Sequence, residues 1–169
     1  MTDHYRVRPA TLDDMDALVR HRIAMFVDMG YSFDAPALNR SFREWLALMM
    51  PAGTYRAWLV ETDLGAVAAG GGLSVLPWPP GPRYPGDKLG VVYNVYTEPP
   101  HRRRGLARRL METIHDWCRE TGVTSTALNA SRDGRPLYES MGYELPSNPM
   151  MFFAIGAGYN PTAQAGKTS

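Results

Sequence analysis

One stretch, LGVVYNVYTEPPHRRRGLARRLM at residues 89–111, constrains the fold more than any other part of the chain. It opens with an apolar run, Leu89 to Tyr96, whose β-branched and aromatic side chains predict a buried strand. The Pro99–Pro100 pair ends that strand, because proline cannot donate to a sheet ladder. A helix is predicted to begin near Gly105, where leucine and isoleucine start to recur at helical spacing. The loop between strand and helix is therefore anchored at both ends.

This loop carries three consecutive arginines, Arg102, Arg103 and Arg104, directly before Gly105. Guanidinium groups, the positive end of a helix and the free N–H groups of its first turn all favour a bound anion. Neither the GxGxxG fingerprint of dinucleotide sites nor the lysine of a P-loop is present. The alternative is a solvated basic turn, because many charge runs bind nothing. The loop indicates a phosphate site and leaves the ligand open.

A second motif, ALNASRDGRPLYESMGY, occupies residues 127–143. It predicts a strand, a short helix that contains Tyr138, and a closing glycine–aromatic pair, Gly142 and Tyr143. In this order and separation, the two motifs resemble the signature of the GNAT superfamily of N-acetyltransferases, which use acetyl-coenzyme A. The alternative for Tyr138 alone is a half-buried helix aromatic without a catalytic role.

The predicted elements are consistent with that resemblance. They run strand, two helices, three strands, helix, strand, short helix and a last strand drawn from Met150 to Ile155. Thr11 to Asp14 resembles a capping box before the first helix, and Asp34 caps the second. The resemblance implies an α/β (α+β) fold, with one twisted, mostly antiparallel mixed sheet and helices on both faces. We predict one domain over residues 1–156 and a flexible tail over 157–169.

The resemblance also implies which residues contact acetyl-coenzyme A. In the family, the strand equivalent to residues 89–96 bulges and splays from its neighbour, so that its backbone can pair with the pantetheine arm. Val95, Tyr96 and Thr97 match those positions, and Asn129 follows the neighbouring strand. The loop that would bind the pyrophosphate comprises Arg102, Arg103, Arg104, Gly105, Leu106, Ala107 and Arg108.

Tyr138 matches the family's tyrosine near the coenzyme sulfur, where a phenol with a pKa of about 10 can return a proton to the departing thiolate. The general base is not assigned by a motif. Some family members place a glutamate in the strand equivalent to 89–96, and this run contains no carboxylate. Three candidates stay open: a water relay from Asn94, a water relay from Tyr93, or a base at Asp87. Glu98 is expected to pair with the loop arginines instead.

The implied reaction transfers an acetyl group to a primary amine, on a small molecule or a peptide, by direct attack in a ternary complex. An alternative function is a sensor or regulatory module that binds acyl-coenzyme A without turnover, because the strand carboxylate is missing. The family sets acceptor identity with residues 26–45 and 77–88. The loop 77–88 is interpreted as lying near the acceptor, with a mere surface excursion as the alternative. Aromatics mixed with acids would suit a cationic amine; they are Asp28, Tyr31, Asp34, Glu44, Trp45, Trp78 and Tyr84.

Composition excludes several other classes. A net charge of +1 gives no general reason to expect nucleic acid, and a nucleic-acid binder would rest on the loop arginines alone. The four histidines show no shared ligand spacing, so no metal is expected. No stretch approaches the ~20 apolar residues of a membrane span and no apolar signal core opens the chain, so a cytoplasmic location without membrane contact is expected. The resemblance implies a homodimer as one state of assembly.

Overall fold

The computed structural model of the protein describes residues 4–153 and 155. The strands are β1 (Tyr5–Pro9), β2 (Tyr55–Thr62), β3 (Val67–Pro77), β4 (Lys88–Thr97) and β5 (Thr126–Leu128). The helices are α1 (Met15–Asp28), α2 (Ala35–Met49), α3 (Leu106–Glu120) and α4 (Arg135–Ser140). Two short 3-10 turns precede α1 and follow β4, at Leu12–Asp14 and Pro99–His101. The expected tail, 157–169, and the expected end of the domain at 156 lie outside the described residues.

The described strands form one sheet in the order β1-β2-β3-β4-β5. Neighbours are antiparallel except for β4 and β5, which are parallel. Helix α3 packs on one face, where Leu110 and Ile114 are fully buried against Trp58 and Val60 of β2. Helices α1 and α2 cover the other face, with Leu46 fully buried. The predicted α/β fold, a mostly antiparallel mixed sheet with helices on both faces, is confirmed.

The local signals at the first two helices are also confirmed. Thr11 and Asp14 form a complete capping box, because each side chain accepts a backbone N–H of the other's turn. The Asp34 side chain accepts a hydrogen bond from the Ala37 N–H at 2.8 Å and starts α2. The box starts the 3-10 turn that leads into α1, and the Asp34 cap fixes where α2 begins.

A bulge interrupts β4 near its carboxyl end. One residue of β3, Gly71, lies opposite two residues of β4, Asn94 and Val95. Asn94 adopts a left-handed φ of 58°, a conformation that asparagine tolerates better than most residues. As a result, the consecutive residues Tyr93 and Asn94 both face α1 and α2, whereas Val95 faces the α3 side. A Cβ atom at Gly71 would lie 2.9 Å from the end of the buried Leu110 side chain and 3.2 Å from Val95, so close packing at the bulge favours a glycine there.

Strand β4 separates from β5 at the same point. The parallel pairing covers only Gly90–Val92 against Thr126–Leu128. From Tyr93 to Thr97, β4 has no partner in β5, so this edge of the strand is open to another partner except at the Thr97 carbonyl, which accepts from Arg102. Strand β5 therefore spans only three residues.

The last predicted strand is wrong for its described part. Met150, Met151, Phe152 and Phe153 are irregular and exposed, and the sheet of described strands ends at β5. An apolar run becomes a strand only where a neighbouring strand supplies hydrogen-bond partners. Ala154, within the same predicted strand, lies outside the described residues.

Candidate active site

The arginine loop, which we define as residues 102–107, joins β4 to α3. Arg103 and Gly105 adopt left-handed φ angles of 64° and 75°. The first N–H groups of α3 have no carbonyl one turn earlier, and successive N–H groups in such a turn form a concave anion site. A Cβ atom added at Gly105 would meet nothing within 4 Å. The loop thus combines backbone donors, a positive helix end and open space.

Only some of the loop's charge faces that space. Arg102 donates from Nε to the Thr97 carbonyl at 2.9 Å, and from Nη2 to Asp28 at 2.5 Å and the Tyr96 hydroxyl at 3.1 Å. Its guanidinium therefore stabilises the loop from within. Arg103 and Arg104 are exposed. The three arginines named by the sequence are close together, but their environments differ.

The other residues expected to contact the coenzyme surround the loop and the open edge of β4. Val95 and Thr97 are half-buried and Tyr96 is buried, so each offers mainly its backbone at the edge. The Leu106 side chain belongs to the core on the α3 side, and Ala107 is half-buried.

Two more expected contacts lie around the same opening. Arg108 donates to the Ser140 hydroxyl at 2.6 Å and so ties α3 to α4. Asn129 is exposed in the segment that follows β5. The structure thus places both residues near the ends of elements that border the opening.

Tyr138 lies in α4 and packs in the same core cluster as Val92 of β4 and Leu106 of α3. It is 9% exposed, and its ring meets that of Tyr143 edge-on with centroids 5.8 Å apart. Burial raises the pKa of its phenol to about 12. Because of this raised pKa the phenol is protonated at neutral pH. Its hydroxyl has no hydrogen-bond partner within the described residues and is available as a donor.

A cavity of about 370 Å³ opens on the opposite side of the bulge, between β4 and the first two helices. We call it the aromatic cavity; its lining residues are Arg22, Leu38, Ser41, Phe42, Trp45, Tyr93 and Asn94. Tyr93 and Asn94 reach it because the bulge turns both towards α1 and α2. The cavity and the open edge therefore adjoin the same few residues of β4.

This combination of a split strand pair, a left-handed glycine loop and a buried tyrosine matches a known family. Residues 18–143 match the family described as the acetyltransferase (GNAT) family. The chain belongs to the GNAT family. A comparison with curated proteins gave no significant match.

Solved structures of GNAT proteins agree with this assignment. A GCN5-related N-acetyltransferase from Ralstonia eutropha is 36% identical, with a TM-score of 0.79 and coverage of 89% of this chain and 99% of that one. A predicted acetyltransferase with acetyl-CoA from Clostridium acetobutylicum is 22% identical, with a TM-score of 0.76 and coverage of 89% and 96%. An aminoglycoside N-acetyltransferase in complex with CoA is 13% identical, with a TM-score of 0.71 and coverage of 91% and 97%. The last two share the fold alone.

The structure separates the candidates for the general base of this GNAT protein. Both ends of the Asn94 amide are engaged, because Oδ1 accepts from Arg22 at 2.5 Å and Nδ2 donates to the Tyr55 hydroxyl at 3.1 Å. Asp87 precedes the other end of β4, roughly 20 Å from Asn94 at about 3.3 Å per residue. Tyr93 is half-buried and lines the aromatic cavity, and burial raises the pKa of its phenol. Tyr93 is the best placed of the three.

The expected partners of Glu98 were wrong. Its carboxylate accepts from Arg20 Nε at 3.2 Å and from His21 Nε2 at 3.1 Å, both in α1, rather than from the arginine loop. Glu98 follows β4 directly, and the first turn of chain after the strand points it back at α1. Asp28 takes the role expected for Glu98, because it binds Arg102.

Two of the expected acceptor residues, Trp45 and Tyr84, line cavities, and the two cavities are different. Trp45 lines the aromatic cavity, whereas Tyr84 lines a second cavity of about 250 Å³ beside Arg83 and Tyr143. Trp78 lines neither cavity. The loop 77–88 is therefore not part of the aromatic cavity.

Sequence reasoning missed Arg22, the charged residue of the aromatic cavity. A signal was present: Arg22 lies four residues after Leu18 and four before Phe26, on the apolar stripe of α1. Burial of a charged residue on an apolar stripe costs free energy unless the charge is paired, so such a residue is a candidate for ligand binding. Phe42 belongs to the apolar face of α2 and gives no comparable signal.

Two other kinds of site are absent from the described part of the chain. No helix there has the length and apolar character that crossing a membrane requires. No three side chains among its His, Cys, Asp and Glu residues are grouped so that they could bind a metal ion.

Proposed function

We infer that this protein transfers the acetyl group of acetyl-coenzyme A to a primary amine by direct attack in a ternary complex. The observation that carries this proposal is the bulge at Asn94. On one side of it lie the open edge of β4 and the arginine loop, and on the other lies the aromatic cavity. Two substrates could therefore meet at one point of the sheet.

The residues present fit the coenzyme. The open space at Gly105 and the N–H groups of the α3 first turn suit a pyrophosphate, and the edge from Val95 to Thr97 suits an extended chain of amides. Two solved structures with the same fold contain acetyl-CoA and CoA. Acetyl-coenzyme A would supply an activated thioester, whose C–S bond breaks as the amine nitrogen bonds to the acetyl carbon.

The chain's own residues would then donate and remove the protons. Tyr138, with a pKa raised to about 12 by burial, stays protonated and can donate to a thiolate at the opening of the sheet. Tyr93 can orient a water molecule that passes the proton of the amine to bulk solvent, and the Tyr138 phenolate regains its proton from solvent. Direct attack is favoured over an acyl-enzyme because the single cysteine, Cys118, is buried in α3 and burial raises the pKa of its thiol.

One observation favours a second function. Strand β4 contains no carboxylate, and the Asn94 amide is occupied by Arg22 and Tyr55. A protein that lost its base but kept the arginine loop would bind the coenzyme as a sensor. The two functions differ in turnover and not in coenzyme binding.

An acceptor screen separates them. The full-length protein is mixed with acetyl-coenzyme A and a panel of amines, and free thiol and acetylated product are measured together. Acceptor-dependent thiol release with a product heavier by one acetyl group is the expected result. Tight coenzyme binding by calorimetry, with no thiol release for any amine, would favour the sensor.

A further inference from the structure

Arg22 is a half-buried cation in unusual surroundings. Its guanidinium carbon lies 4.7 Å from the ring centroid of Phe42 and 5.1 Å from that of Phe26. Nη1 donates to the neutral amide of Asn94, and Nε is buried with no hydrogen-bond partner. Within the described residues, no carboxylate lies within ion-pair distance of this guanidinium.

Other partly buried arginines of the chain have acidic partners. Arg8 binds both Asp14 and Glu61, and Arg43 binds Asp16. Burial of a cation without a counter-ion is costly, and it lowers the pKa of Arg22. Two aromatic faces recover part of that cost through cation–π attraction. The remaining cost suggests that the counter-ion comes from outside the chain.

The position of Arg22 determines where that counter-ion would sit. Arg22 lines the aromatic cavity, and its Nη2 is neither hydrogen-bonded within the described residues nor among the fully buried atoms. The residue that fixes it, Asn94, is the bulge residue of β4. An anion bound by Nη2 would therefore lie in the cavity, close to the point where the two substrates meet.

We propose that the amine acceptor also carries a carboxylate, which binds Arg22, and that the acceptor is an amino acid with an apolar or aromatic side chain. The rings of Phe42, Trp45 and Tyr93 would contact that side chain. This proposal rests on the acetyl transfer proposed above. It replaces the cationic amine expected from the sequence, because no acid is present among the cavity-lining residues.

The test uses pairs of amines that differ only in the carboxylate: phenylalanine against phenethylamine, and tryptophan against tryptamine. A charge-assisted hydrogen bond to a guanidinium predicts that kcat/KM is roughly 10- to 100-fold higher for the amino acid of each pair. Phosphoethanolamine is included to distinguish a carboxylate from a phosphate. Higher kcat/KM for the decarboxylated amines, or for phosphoethanolamine, would overturn the proposal while leaving acetyl transfer intact.

Variants test the assigned residue. Arg22→Met should abolish the difference within each pair, and Arg22→Lys should retain part of it. Arg40→Met removes one exposed positive charge from α2, outside the lining of the aromatic cavity, and should change nothing. An undiminished preference for the carboxylate in folded Arg22→Met would show that another group binds it.

Calorimetry separates this proposal from the proposed function. Phenylalanine and phenethylamine are titrated into the wild-type protein with coenzyme A present. Suppose that phenylalanine binds and phenethylamine does not, and that phenylalanine is not acetylated when acetyl-coenzyme A is supplied. This result would support the Arg22 site while removing the proposed transferase activity. Equal binding of phenylalanine and phenethylamine, or binding of neither compound, would overturn the Arg22 site whatever the turnover.

Discussion

Arg102 and Asp28 form an ion pair that joins the arginine loop to the end of α1, with Nη2 and Oδ2 2.5 Å apart. The same guanidinium binds the Thr97 carbonyl and the Tyr96 hydroxyl. Hence the first arginine of the motif shapes the loop, and the N–H groups that follow it are left to meet a ligand. The sequence alone did not show which of the three arginines has this role.

Arg102→Ala should weaken acetyl-coenzyme A binding by roughly 3- to 10-fold while changing stability by no more than about 1 kcal/mol, because the pair is nearly half exposed. Asp28→Asn should have the same effect, since it removes the same tie. Arg119→Ala breaks a comparable exposed pair at the far end of α3 and serves as the control. Weak binding in Arg102→Ala with normal binding in Asp28→Asn would mean that Arg102 contacts the phosphates itself.

Gly105 and Gly122 make a matched pair at the two ends of α3. Both have left-handed φ angles, 75° and 73°, and a Cβ atom at either would meet nothing within 4 Å. Gly105→Glu and Gly122→Glu should therefore cost similar stability, roughly 1–2 kcal/mol of backbone strain. Only Gly105→Glu should abolish acetyl-coenzyme A binding in calorimetry, because it puts a carboxylate among phosphate donors. Equal affinities in the two folded variants would remove the loop from the coenzyme site.

The features that the sequence predicted well depend on local chemistry. Thr11 with Asp14, and Asp34, place their helices because a cap acts within one turn of chain. The arginine loop was predicted because proline ends β4 and glycine allows the turn into α3. The order of the elements then resembled one family closely enough to give the fold.

The features that were missed depend on contacts between distant parts of the chain. The bulge at Asn94 depends on the register of β4 against Gly71, which no local pattern encodes. Asp28, and not Glu98, pairs with the arginine loop because the end of α1 packs beside the end of β4. The place of Arg22 in the cavity depends on Asn94, which the bulge turns towards it. The catalytic chemistry lies among these distant contacts, so it was the least predictable part.

His21 should make the protein less stable in mild acid. It is 1% exposed, and burial lowers its pKa, although Glu98 acts in the opposite direction and Arg20 in the same one. Below about pH 6.5 the unfolded chain takes up a proton that the native His21 resists. Its contribution to the free energy of unfolding is therefore complete above that pH and falls as the pH is lowered, by at most about 1.4 kcal/mol per pH unit.

Urea unfolding of the wild type and His21→Gln at pH 7.5 and 5.5 measures this effect. The His21→Gln variant should be less stable than the wild type at pH 7.5. Its free energy of unfolding should fall less than that of the wild type between pH 7.5 and pH 5.5. Burial also lowers the pKa of His115. The His115→Gln variant is therefore the control that shows how much of the pH dependence of stability comes from a histidine other than His21. An unchanged slope in His21→Gln would show that Glu98 compensates fully for burial.

Tyr138 and Tyr143 allow the catalytic role of a phenol to be separated from a structural one. Tyr143 is bonded to Thr126 and His115, each at 2.8 Å, whereas the Tyr138 hydroxyl has no partner within the described residues. Tyr143→Phe should therefore cost about 1 kcal/mol of stability and leave turnover nearly intact. Tyr138→Phe should keep stability and coenzyme affinity, while turnover falls by roughly 10²- to 10⁴-fold because the proton donor for the thiolate is gone.

The pH profile adds a second check on Tyr138. With its pKa raised to about 12, the phenol should not lose its proton in the range where turnover can be measured, so wild-type activity should show no alkaline limb from this group below about pH 11. Melting temperature, acetyl-coenzyme A affinity and turnover are measured on one preparation of each variant. Near-normal turnover of Tyr138→Phe at saturating substrates would assign the proton to water and remove Tyr138 from the catalytic residues.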